Sequence, residues 1–147
     1  MQIIFYILAL ISGALMPTQA AINHKMSTEV GSPILAAFIS FGVGVVALFA
    51  LILAAGIPMN NLSSAKNAPL IAWAGGLCGA FFVAATVFVI PRLGVALTFS
   101  ILILGQMLAT LPIDHYGFLG TAVREISLPR IAGVILVLLG VFLIRRF

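Results

Sequence analysis

Five apolar runs, separated by short polar connections, account for most of the chain: residues 3–22, 32–57, 68–90, 94–113 and 128–144. A bilayer core about 30 Å thick is crossed by about 20 apolar residues in helix, and each run qualifies or comes close. The last is the shortest, but Arg145 and Arg146 follow it and can snorkel to the interface. The runs are too long, and too uniformly apolar, for barrel strands of about ten residues with alternating polarity. The pattern predicts an all-α polytopic membrane protein with five transmembrane helices and a single transmembrane domain over residues 1–147.

The connections at 23–31, 58–66, 91–92 and 114–129 are too short for a soluble domain, and every Lys and Arg lies in or beside a connection or an end. At most, the longest predicts one interfacial turn of helix. The first run carries no Lys or Arg before it, as a secretory signal normally would, so it is expected to stay as the first span.

Composition sharpens this picture. Of 147 residues, 63% are hydrophobic and 7% charged, against about 25% charged in a soluble domain. The net charge of +4 comes from Lys and Arg placed singly or in pairs, with no basic stripe, so nucleic acid is not an expected partner. Cys78 lies within an apolar run and is expected to be a small buried hydrophobe. No G-x-S-x-G, H-E-x-x-H or phosphate-cradling glycine loop occurs, so neither an enzyme, a metal site nor a cofactor is expected.

With five spans, Lys66, Arg124 and Arg130 share one face of the membrane, and Lys25, Arg92, Arg145 and Arg146 the other. The positive-inside rule works through a clear imbalance, and three against four is close to a tie. The chain is therefore expected to insert both ways, with a single orientation fixed by one weak determinant as the alternative. Many transporters are two inverted repeats around a midplane site, and an antiparallel homodimer of this chain would supply both halves.

Polar side chains inside apolar runs are costly without a partner or water, so the few present carry information. Pro17, Thr18, Gln19 and Asn23 fall close together. Gln19 and Asn23, four apart, share a helix face. They either line a polar cavity or hold neighbouring helices together. Gln106, Thr110 and Asp114 form a second stripe, ending beside His115. Asp114 and Glu29 are the acidic residues nearest a span, so each is a candidate for carrying a proton or gating, with capping against water as the alternative. Trp73 is either an interfacial anchor or a substrate wall. Rows of small residues such as Ala36, Ser40 and Gly44, or Gly75 and Gly79, predict close helix packing. No Asp, Glu, Lys or Arg lies near the middle of any run.

Pro17-x-Gln19 with Asn23, Gly31-Ser32-Pro33, Ser40-Phe41 and Gly44, then Trp73, Gly75-Gly76, Gly79-Ala80, Pro91-x-x-Gly94, Gly105-Gln106 and Asp114-His115 resemble the YdcZ-type five-helix membrane proteins. The segment from Arg130 through Gly133 to Gly140-Val141 resembles the last helix of drug/metabolite transporter repeats. The resemblance implies a small secondary transporter of the bacterial inner (plasma) membrane, with short members pairing as dimers. It also implies that the last helix, with Gly133 and Gly140, mediates dimer contact. The chain lacks the first-helix carboxylate of the small multidrug exporters.

The expected function is export of a small metabolite or amphipathic compound by alternating access, with Gln19, Asn23, Gln106 and Trp73 as substrate-binding residues. Amides suit a neutral or zwitterionic solute. Two alternatives remain at this point: flipping of a lipid or lipid-linked sugar, and a non-transporting scaffold or accessory subunit. The expected partners are a small-molecule substrate, membrane lipid and a second copy of the chain.

Overall fold

The computed structural model describes residues 2–147 as helices and their connections, with no strand among them. In order these are α1 (Gln2–Val30), α2 (Pro33–Ala54), a 3-10 segment (Met59–Asn67), α3 (Leu70–Tyr116), a 3-10 turn (Phe118–Gly120) and α4 (Leu128–Arg146). All four α-helices are long and apolar enough to cross a membrane.

α1 continues past the apolar run to Val30, through residues expected to form a connection. The polar residues there mark the exit from hydrocarbon but do not break a helix. Ser27 and Thr28 donate their hydroxyls to the carbonyls of His24 and Lys25, each at 2.7 Å, which occupies hydroxyls that would otherwise compete for the backbone. The helix ends at Gly31, whose φ of +71° closes the turn. Ser32, extended ahead of Pro33, then caps α2 by accepting from the Leu35 amide at 3.4 Å.

The runs 68–90 and 94–113 form one element of 47 residues, with helical structure continuing through Pro91. As a straight helix it would measure about 70 Å, more than twice the hydrocarbon thickness. The backbone leaves the helix at Gly94, with φ 76° and ψ 167°. Only glycine takes that region readily. Pro91 withholds a donor, but the deviation falls three residues later, where no Cβ opposes it.

The chain divides into two compact units after Arg92. In the first, α1 packs on α2. Ala20, Asn23 and Ser27 of α1 are buried, as are Ala36 and Ala37 of α2 and Val83, Thr86, Val87 and Ile90 of α3. The α1 and α3 positions repeat at three and four residues, the spacing of one helix face, and Ala36 and Ala37 adjoin near the start of α2. Their small or β-branched side chains let backbones approach. A Cβ built on Gly79 would lie 3.5 Å from Cζ of Phe41, so α3 packs against α2 there. Large apolar side chains such as Phe5, Leu10, Phe38, Leu70 and Phe81 remain exposed, as a protein solvated by lipid tails requires.

In the second unit, the segment 95–116 leads through the turn at 117–127 into α4. Gly117 opens the turn with φ +62°, and a Cβ there would meet Cγ2 of Val123 at 2.8 Å. The strap folds back on the helix end. The Arg124 amide donates to the Asp114 carbonyl at 2.8 Å, and the Thr121 hydroxyl donates to the Ile113 carbonyl at 3.3 Å.

Candidate functional site

Two of the polar residues singled out above, Gln19 and Asn23, line one cleft in the first unit. It encloses about 450 Å³ between α1 and α2, and its polar lining is Ser12, Thr18, Gln19, Asn23 and Ser40. Met16, Leu15 and Ile22 complete the wall, and none of the lining residues is charged. The four-residue spacing of Gln19 and Asn23 carries both toward it, while Ser40 comes from the small-residue row of α2.

The two amides differ in environment. Gln19 is exposed. Asn23 is 5% exposed, and its Nδ2 is buried without a hydrogen-bond partner among the described residues. A buried unpaired donor costs about 1–3 kcal/mol, so it persists where something else repays the loss. Thr18 makes no such demand, because its hydroxyl donates to the Ala14 carbonyl at 2.9 Å. Pro17 has no amide hydrogen to offer the Gly13 carbonyl, which leaves one more acceptor on this stretch of α1. The adjoining His24 also has a buried, unpartnered Nδ1.

Asp114 lies elsewhere, in the second unit. It lines a cavity of about 380 Å³ with Met107, Thr110, Arg130 and Gly133. Nη2 of Arg130 donates to Oδ2 of Asp114 at 3.3 Å, with both side chains about one-third exposed. Nη1 of the same guanidinium donates to the Arg124 carbonyl at 3.3 Å. Asp114 thus has a cationic partner sixteen residues away, which the spacing of polar residues along one helix does not reveal. Of the stripe 106, 110 and 114, Thr110 and Asp114 reach this cavity, whereas Gln106 is exposed and does not line it. Trp73 is 60% exposed and Glu29 is exposed. Gly133 lines the Asp114 cavity, and a Cβ on Gly133 or Gly140 would meet nothing within 4 Å.

The arrangement suits binding. One cleft offers neutral donors and acceptors on a helix with an internal proline, and one cavity sits beside an ion pair at a helix end. The model of a family described as "Putative inner membrane exporter, YdcZ" matches residues 4–143. No curated protein and no solved structure matches the chain. With a match over nearly its whole length and four helices of spanning length, the chain belongs to the YdcZ family and is an inner-membrane transporter of the exporter type.

Proposed function

We propose that this chain is one half of a secondary exporter, a single five-span transmembrane domain acting as a dimer with an inverted second copy. On this reading the break at Gly94 turns α3 into two spans, 70–93 and 95–116. The cleft between α1 and α2 binds the cargo, a small neutral or zwitterionic metabolite or amphipathic compound. The buried, unpaired Nδ2 of Asn23 beside Gln19 and Ser40 carries this reading. A solute presenting a carbonyl or similar acceptor would satisfy Nδ2 once movement of α1 against α2 uncovers it, and the uncharged lining favours a solute without net charge. Alternating access then exposes the cleft to each side in turn.

The near-tie of basic residues across the two faces supports the inverted pairing. So does the open surface at Gly133 and Gly140, where a second helix can approach without meeting a side chain.

Two measurements test the proposal. Inside-out vesicles incubated with cell extract, then profiled by mass spectrometry, should accumulate at least one compound that empty-membrane vesicles do not. Asn23→Ala and Gln19→Ala should each reduce that accumulation. Equal profiles with and without the protein would sink the exporter reading. Separately, single cysteines at either terminus in a Cys78→Ala background should each label in about half the molecules of intact cells. Labelling confined to one terminus would refute dual insertion.

A further inference from the structure

The first unit carries a second cleft that shares no lining residue with the Gln19–Asn23 cleft. It encloses about 400 Å³ between residues 32–34 at the start of α2 and Phe81, Ala84, Ala85 and Phe88 of α3. The lining is apolar apart from Ser32. The α3 residues recur at three and four positions, so they form one continuous strip along the helix. Two alanines between two phenylalanines hollow that strip into a groove.

A cation stands at one end of this strip. The Arg92 guanidinium lies 4.2 Å from the centre of the Phe88 ring, and its Nη1 donates to the Phe88 carbonyl at 2.9 Å. Both contacts fix the group beside a residue that lines the groove. One bond uses only one of the five N–H donors of a guanidinium. The only ion pair among the described residues joins Asp114 and Arg130, so Arg92 has no carboxylate partner. The start of α2 marks the same end as interfacial, because Gly31 and Ser32 form the polar link between α1 and α2.

Length decides what such a groove accepts. From Arg92 down to Phe81 the helix rises about 16 Å. One leaflet contributes about 15 Å of a hydrocarbon core about 30 Å thick. The lined floor, Phe88 to Phe81, is about 10 Å of that helical rise. A fixed, uncompensated cation at the interface, with an apolar floor ending about one leaflet below it, matches a single phospholipid with a negative headgroup.

We propose that this groove is a binding site for an anionic phospholipid, with the phosphate on Arg92 and one acyl chain along Phe88, Ala85, Ala84 and Phe81. The free N–H groups of Arg92 take the phosphate oxygens, and stacking on Phe88 keeps the fork in place. The uncharged floor excludes a headgroup from the groove itself. A neutral, zwitterionic lipid fits the floor equally well but gains less at Arg92, because its own ammonium competes for the phosphate.

The test uses the full chain, purified in detergent and stripped of lipid, and then offered dioleoyl phosphatidylglycerol or dioleoyl phosphatidylcholine. Native mass spectrometry counts the lipid retained per chain. The expected result is one tightly held phosphatidylglycerol, retained about fivefold more strongly than phosphatidylcholine, as one basic residue at the interface provides. Arg92→Gln should bring the two lipids level, and Ala85→Phe, which fills the floor, should lower retention of both. Arg145→Gln, an exposed cation outside the groove, should leave the preference intact. Equal retention by the unmodified chain overturns the proposal. So does a loss as large with Arg145→Gln as with Arg92→Gln, which would mean unspecific charge attraction. Ala85→Phe that alters the dimer fraction while sparing phosphatidylglycerol also overturns it, because a second copy would then cover the groove.

Discussion

Asn23 offers a substitution whose effects on stability and transport should run in opposite directions. Its side chain is 5% exposed and makes no hydrogen bond among the described residues, with Nδ2 buried and unpaired. Replacing it by Leu removes a donor whose burial costs about 1–3 kcal/mol and orphans no partner. The extra volume costs part of that gain, since overpacking is itself unfavourable, although the adjoining cleft provides space. The net expectation is a chain stabilised by about 1 kcal/mol, or a melting temperature about 2–4 °C higher for a protein of this size. Transport should move the other way. A cargo acceptor left facing Leu loses its donor, which costs about 1–3 kcal/mol and weakens apparent affinity by roughly 5- to 150-fold. The assays are thermal unfolding of the purified protein, followed by loss of its gel-filtration peak, and vesicle uptake of the compound that the unmodified chain accumulates. A fall in melting temperature of more than about 4 °C with uptake unchanged would refute the reasoning, because it would make Asn23 a structural link between helices.

Other positions give separate tests. Gly94→Ala should destabilise the protein by about 1–3 kcal/mol, because φ 76° with ψ 167° is strained for any residue with a Cβ. Gly105→Ala, where a Cβ meets nothing within 4 Å, should be neutral or slightly stabilising; thermal unfolding of the pair decides. Asp114→Asn and Arg130→Gln should each cost under about 1 kcal/mol, as a pair one-third exposed at 3.3 Å implies. The double variant should be no worse than either single, which a double-mutant cycle measures directly. Gly133→Leu and Gly140→Leu should leave the melting behaviour of the single chain nearly unchanged but reduce dimer capture by cross-linking in membranes, since a Cβ at either position meets nothing within 4 Å.

Much of this protein was legible in its sequence. Apolar runs of spanning length require helices in lipid, because no other open structure satisfies its backbone there. The amides Gln19 and Asn23 stood out because amides within a span or at its edge need a reason, and both line the same cleft. Polarity was a poorer guide to where helices stop. The polar stretch after Ile22 stays helical to Val30, because the stop lies in the backbone geometry of Gly31 and the Ser32-Pro33 step. Likewise Pro91-Arg92 looked like the connection between two runs, yet the backbone breaks at Gly94.

What periodicity could not resolve was which neighbour each face meets. Gln19 and Asn23 share a face in sequence, but only the packing of α1 against α2 buries Asn23 and leaves Gln19 exposed. The Asp114–Arg130 contact spans a turn, so no helical spacing encodes it. The groove beside Arg92 exists because residues 32–34 lie against α3, fifty residues further along the chain. Hydrophobic pattern is a local property fixed by the solvent, and it determined that this is an all-helical membrane protein. Burial, pairing and cavities depend on contacts between distant segments, and those belong to the tertiary structure alone.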